Sequence, residues 1–313
     1  MRKVPLGTSG AEVSIFCLGA MYFGWRTPEE AAIPVLDQYA EAGGAFIDTA
    51  NIYGAVGDQR VGGLSEAVLG RWMEARGNRQ DMFVASKVGF QRVGVARGLR
   101  AETIISECER TLRELRTDYV DLYYAHVDDR TIPLSEPLEA LDRLVCAGKV
   151  RYVGASNYAS WRLEAARHAC QANGWAPFCC IQQRHTYLRP RPGALFAPQV
   201  VANADLLDYC RSTGMRPLAY TPLLGGAYSR DDKAIDPRYA GPDSDARLTA
   251  LRAVAAEHGA TANQVVLAWM LHSDPQVIPL VAASTTAQMA ENLAALDVAL
   301  SADDMRRLNE AGA

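Results

Sequence analysis

Eight short apolar runs recur along the 313 residues, and the stretches between them place apolar side chains at spacings of three and four. The pattern predicts strands at 16–19, 45–48, 83–87, 120–126, 150–156, 178–183, 216–221 and 277–281. It predicts helices at 28–42, 65–75, 100–115, 137–147, 159–173, 199–213, 248–258 followed by 262–272, and 286–296. The tail, 302–310, reads as one more surface helix. Strands that alternate with helices form a parallel sheet, because the chain must cross back before the next strand can pair. Eight such units close into an α/β fold of the (β/α)8 TIM-barrel type. A small hairpin, 4–6 with 13–15 around Gly7-Thr8-Ser9-Gly10, comes first and is expected to plug the bottom of the barrel. No low-complexity linker divides the chain, so 1–313 is read as one domain. An open doubly wound sheet would need a Gly-rich phosphate fingerprint after an early strand. Neither Gly54-Ala55-Val56-Gly57 nor Gly62-Gly63 has that spacing.

Loop lengths indicate the working face. Helix-to-strand links are short, as at Gly43-Gly44, Arg116-Thr117-Asp118 and Gly148-Lys149. Strand-to-helix links are long at 52–64, 185–198 and 224–243. Elaborate loops therefore sit at the C-terminal ends of the strands, where barrels keep their chemistry. Three successive strands end there in polar groups: Asp48, Lys87 and His126. A carboxylate that closes a buried strand is costly without a partner. Tyr53 follows Asp48 in the next loop. If the strands lie side by side, about 5 Å apart, the four groups meet in one pocket. An ammonium at Lys87 would lower the phenol of Tyr53 from its usual pKa of about 10, Asp48 would hold that ammonium charged, and His126 would hydrogen-bond a carbonyl. Such a group can protonate an oxygen as negative charge builds on it. One His, one Asp, a Tyr and a Lys make a poor metal site, and no metal is expected.

The later strand ends suggest what supplies the other half of a reduction. Ser156, Asn157 and Gln182 offer hydroxyl and amide groups suited to a carboxamide edge. Tyr220 can stack on a flat ring. The run Thr221-Pro222-Leu223-Leu224-Gly225-Gly226 leaves backbone free to approach a pyrophosphate. Ser284 precedes a helix bearing Gln288, Glu291 and Asn292, and a helix N-terminus attracts phosphate. Glu291 can accept from an amino group of a purine.

The set Asp48, Tyr53, Lys87 and His126 resembles the tetrad of the aldo-keto reductase family, and the likeness runs along nearly the whole chain. The resemblance implies a nicotinamide cofactor: NADPH (NADP+), with NADH as the alternative. It places Ser156, Asn157 and Gln182 at the nicotinamide, with Tyr220 as the stacking aromatic, and counts Ala20, Met21 and Asp48 among the cofactor-binding residues. The loop Thr221, Pro222, Leu223, Leu224 and Gly225, with Arg230, falls on the phosphates. Ser284, Gln288, Glu291 and Asn292 fall on the adenosine phosphate. Their pattern is similar to the branch that includes the potassium-channel β-subunits and many bacterial reductases. Three departures stand out. The segment Pro279-Leu280-Val281-Ala282-Ala283-Ser284 lacks the usual Gly, Gln288 stands where many NADPH-selective members have Arg, and Arg184-His185 replaces an acidic-aromatic pair. That leaves His185 either facing the substrate or in solvent.

Composition limits the partners. The formal net charge of -4 gives no basic footprint for nucleic acid and no polybasic patch for membranes. The start lacks a secretory signal, and no run approaches the ~20 apolar residues of a membrane span. The seven cysteines have no metal-ligand spacing and read as reduced thiols of a cytoplasmic protein. The expected partner is a small-molecule carbonyl substrate, walled by Trp25, Phe90 and Tyr187; a homo-oligomer is compatible with the sequence. Two other functions fit parts of the pattern. One is an NADP(H)-binding redox-sensing subunit with little turnover, which has no need of His126. The other is a Schiff-base enzyme using Lys87, which Asp48 would keep charged and unreactive.

Overall fold

The structure is a computed structural model that describes residues 1–312. A hairpin of β1 (Lys3–Pro5) and β2 (Glu12–Ser14) leads into β3 (Cys17–Gly19), α1 (Glu29–Glu41), β4 (Phe46–Asp48) and α2 (Leu64–Arg76). Then follow β5 (Phe83–Val88), α3 (Ala101–Leu115), β6 (Val120–Ala125), α4 (Ser135–Cys146), β7 (Val150–Ser156) and α5 (Ser160–Asn173). The last part is β8 (Phe178–Arg184), α6 (Ala204–Thr213), β9 (Arg216–Tyr220), α7 (Pro242–Glu257), α8 (Ala262–His272), β10 (Ile278–Val281), α9 (Thr286–Ala294) and α10 (Ala302–Glu310). Strands β3 to β10 form a closed barrel in the order β10-β3-β4-β5-β6-β7-β8-β9. Every pairing in it is parallel. This is the (β/α)8 barrel expected from the eight alternating units.

The barrel strands read as continuous apolar runs because both faces are covered, by the interior on one side and by helices on the other. All six residues of β6 are buried, Asp121 included. Asp121 is balanced by Arg79 and Arg151 at the strand's N-terminal end. The outer helices are amphipathic in the ordinary way: α3 buries Ile104, Cys108, Thr111, Leu112 and Leu115 on one stripe. Helix α8 differs, with Val265 through Leu271 all buried, because α7, α9, α10 and β10 surround it.

The hairpin closes the N-terminal end. Ser14 Oγ accepts from the backbone N–H of Ala45 and Phe46 at 2.7 and 2.9 Å, and Arg216 Nε donates to Pro5 O at 3.0 Å. Gly7, at φ 57°, lets the turn press on the Cys179 carbonyl, where a Cβ would collide. Beside it lies a cavity of about 220 Å³ lined by Thr8, Ser9, Arg151, Tyr152 and Cys179. That cavity is at the end of the barrel opposite Asp48, Lys87 and His126.

Two helix starts differ from the sequence expectation by more than two residues. Residues 199–203 are not helical: Arg184 N–H donates to Val200 O, and Val200 N–H donates to Asn157 Oδ1, which ties the segment to the barrel rim. Helix α6 starts only after Asn203, whose side chain caps it. Helix α7 starts earlier than expected, at Pro242, where the missing N–H of proline would have been unpaired in any case.

Candidate active site

Register explains why three strands deliver their polar ends to one point. Asp48 lies opposite Ala85, and Lys87 stands two residues beyond Ala85. Lys87 in turn lies opposite Tyr124, and His126 stands two residues beyond that. The offset from each group to the next is two residues, and an even step keeps each side chain on the same, inward face. The three groups therefore climb together toward the mouth.

Lys87 is wholly buried and its ammonium has three acceptors. It ion-pairs with Asp48 Oδ1, donates to Thr49 O at 2.8 Å and reaches the Tyr53 hydroxyl at 3.3 Å. Burial pulls its pKa down, but Asp48 and Tyr53 outweigh that and hold it above the ordinary lysine value. The second Asp48 oxygen accepts from Gln182 Nε2 at 2.8 Å. Tyr53 is half-buried on the loop after β4. Gly54, at φ 135°, bends that loop past the Leu64 side chain, which a Cβ would strike at 2.6 Å. Lys87 pulls the phenol down as expected, but not far enough to lower it overall. Burial raises it above 10.0 and the Asp48 charge adds to that, so the opposing pull of Lys87 does not prevail. The phenol holds its proton.

His126 is neutral: burial, then the charges of Lys87 and Arg60, push its pKa well below 6.5. Its ring packs edge-on against Phe90 at 4.6 Å and Tyr53 at 6.1 Å. Its Nδ1 is buried without a hydrogen-bond partner. An orphaned acceptor is less costly than an orphaned donor in that position, so the proton belongs on Nε2.

Asn157 joins the strand ends. Its side-chain N–H groups donate to His126 O at 2.9 Å and Ser156 Oγ at 3.1 Å, and its Oδ1 accepts from Tyr220 Oη at 2.8 Å and from Val200 N–H. Its backbone is left-handed, at φ 59°. Thr221 at φ 58° and Leu224 at φ 50° share that uncommon conformation on the loop after β9. On that loop the Pro222 carbonyl accepts from Thr186 Oγ1 at 2.5 Å, and Leu223 packs against the core. Ala20 is buried beside Asp48, its N–H donating to Asp48 O at 2.9 Å, while Met21 is 38% exposed.

The remaining expected residues divide. Ser284 N–H donates to Gln288 Oε1 at 2.8 Å, and Ser284 Oγ accepts from Thr27 at 2.9 Å. Asn292 is tied to Ala282 O, and Glu291 accepts from Thr261 and Asn263. Arg230 pairs locally with Asp232. Phe90 sits at the mouth against His126. Trp25 is half-buried, held by its indole N–H on Met21 O at 2.7 Å. Tyr187 lies elsewhere. It is 1% exposed in a second apolar cluster, packs edge-on against Trp269, and donates to Leu308 O. His185 is half-buried: it packs 5.6 Å from Trp269, and burial pushes its pKa to about 4. Beyond β8 the alternation of strand faces no longer applies, and these side chains turn outward to α8.

Several neighbours were not expected from sequence. Thr285, not Ser284, caps α9, a position legible in the Thr285-to-Gln288 capping spacing. Lys233 lays its ammonium over Gly225, at φ 69°, in the turn after β9. No ion pair engages it among the described residues. Its only sequence signal was its place in a long loop.

Comparison with known proteins places these features in a lineage. The family model described as "Aldo/keto reductase family" matches residues 16–313. Norsolorinic acid reductase stcV of Emericella nidulans is 30% identical, over 99% of this chain and 81% of its own length. Aryl-alcohol dehydrogenase [NADP(+)] of Phanerodontia chrysosporium is also 30% identical, over 96% of this chain and 83% of its own. Among solved structures, the thermostable aldo-keto reductase Tm1743, in complex with the inhibitor epalrestat, superposes with a TM-score of 0.78 at 30% identity, covering 99% of both chains.

Proposed function

The chain belongs to the aldo/keto reductase family and is an oxidoreductase, and from that premise we propose that it reduces an aldehyde or ketone to the alcohol with NADPH, Tyr53 giving the proton. The whole span 1–313 is taken to act as one catalytic domain. The observation that supports this most directly is the contact chain Asp48–Lys87–Tyr53 at the mouth, with neutral His126 beside it.

Each group has a task. His126 donates from Nε2 to the substrate carbonyl oxygen and fixes where it sits. Tyr53, protonated through neutrality, passes its proton to that oxygen as negative charge develops. The phenolate left behind lies 3.3 Å from Lys87, whose charge is already in place and needs no reorganisation. Asp48 keeps Lys87 charged, and Gln182 keeps Asp48 oriented. The reduced nicotinamide, when bound, supplies the hydride. The chain suits such a cofactor in several places. The half-buried Tyr220 ring offers a stacking face, and the left-handed turn at Gly225 and Gly226 brings backbone and Lys233 to one spot. The capped N-terminus of α9 suits a phosphate. A relative whose name includes NADP(+) favours the phosphorylated cofactor. NADH remains the alternative, since Gln288 is not a cation.

The test is loss of dihydronicotinamide absorbance on mixing purified protein with a panel of aldehydes and ketones, using NADPH and then NADH. Turnover that NADPH supports more efficiently than NADH is the expected result. Tight NADPH binding with no turnover across the panel would replace this reading with that of a sensing subunit.

A further inference from the structure

Resting on the carbonyl-reductase reading, we propose that the natural substrate is an anionic carbonyl compound, its carboxylate held at the rim by Arg60 and Arg97 while its carbonyl reaches Tyr53. The loops after β4 and β5 meet there. Val93 N–H donates to Arg60 O at 2.8 Å. Arg92 ion-pairs with Glu107, which also accepts from Asn51 Nδ2 at 2.7 Å, and Asn51 N–H donates to Lys87 O at 3.2 Å. The rim is thus fastened to the strand that bears Lys87.

Arg92 is satisfied by this frame; Arg60 and Arg97 are not. Both are exposed, and among the described residues neither guanidinium has a carboxylate or hydrogen-bond partner. Arg97 stands 5.8 Å from the Phe90 ring, and Phe90 is 4.6 Å from His126. The charge of Arg60 reaches the site itself, opposing protonation of His126 and favouring ionisation of Tyr53. Neighbouring carboxylates are engaged elsewhere: Asp128 with Arg130 and Arg162, Asp129 with Leu99 N–H and Thr131. Asp58, exposed on the same loop as Arg60, pairs with neither arginine. Two unneutralised guanidiniums, one of them beside the Phe90 ring, match a ligand with an apolar body and a carboxylate end. They also raise the local concentration of anions at the mouth. Both lie on the tetrad's own loops, away from Lys233 and α9, so they act on the substrate and not on the cofactor phosphates.

The experiment compares 4-carboxybenzaldehyde with its neutral analogue, methyl 4-formylbenzoate, at saturating NADPH. The native protein should favour the acid by about tenfold in kcat/KM, mostly through KM, as two partly screened ion pairs would give. The preference should shrink as salt rises. In the Arg60→Ala, Arg97→Ala double variant the ratio of acid to ester should fall to about one. Arg60→Lys with Arg97→Lys should keep part of the preference. Equal use of acid and ester by the native protein, or a preference that survives in the double alanine variant, overturns this proposal alone. If neither compound nor any other carbonyl is reduced while NADPH binds, the reductase reading fails and takes this one with it.

Discussion

The corner proposed to be catalytic and the loop after β9 share one rim of the barrel, yet they are built in opposite ways. At the corner, Asp48, Lys87 and His126 are 2%, 0% and 7% exposed, and neighbouring strands hold each by backbone bonds. Across the rim, Arg230, Asp232 and Lys233 are exposed, and the ion pairs within that loop, Arg230–Asp232 and Arg238–Asp236, each join residues two apart. Reorganisation is costly where charge develops, so that region is dry and fixed. A dinucleotide must enter and leave, so the exposed tip proposed to hold its phosphates is wet and paired only locally, while Pro222, Tyr228 and Ser229 tie the rest of the loop to Thr186 and Asn263. The difference predicts that changes at the corner act on both chemistry and stability, and that changes in the loop act on binding alone.

The strongest way to break the contrast is Lys87→Met. It leaves Asp48 buried without its cation, so unfolding measurements should show a loss of about 3–5 kcal/mol together with loss of turnover. A variant as stable as the native protein would show that the corner is not the dry ion pair described. Tyr53→Phe comes next. It should lower kcat by about two to four orders of magnitude with NADPH affinity unchanged, read by single-turnover kinetics and cofactor titration. Activity within tenfold of native would remove Tyr53 as proton donor.

Glu66 tests how far the dryness extends behind Lys87. It is fully buried, accepts from Ser86 and Thr111, and burial raises its pKa to about 7. The folded state thus binds a proton that the unfolded chain, at 4.5, releases. The stability from that proton is complete below about pH 4.5 and is lost as pH rises through about 7, a change on the order of 3 kcal/mol. Thermal unfolding across this window should fall for the native protein and stay flatter for Glu66→Gln. Parallel curves would mean that water reaches Glu66. The smallest effect is expected in the loop: Lys233→Ala should raise KM for NADPH a few-fold, about 1 kcal/mol or less, with kcat and melting temperature unchanged. A fall in kcat there would erase the distinction between the two regions.

Sequence reading reached the corner more surely than the loop for the same reason. Asp48, Lys87 and His126 end apolar runs, and a run that ends in a buried charge is visible without coordinates. Arg60, Arg97 and Lys233 sit in loops with no period, where nothing local says which cations are already paired. Tyr187 shows the same limit from the other side. Its position after β8 suggested the mouth, but its ring turns outward to Trp269.

By itself, the order of residues determined the eight alternating units, the face on which loops gather, and the polar groups that close three successive strands, because strand and helix periods and strand ends are local properties. Only the folded chain decided that a stagger of two residues per strand brings those groups together, that Tyr53 keeps its proton, and which rim arginines lack a partner. Those outcomes depend on burial and on distances between residues far apart in sequence. Desolvation and Coulomb attraction act through space, and the linear sequence does not contain that space until the barrel closes.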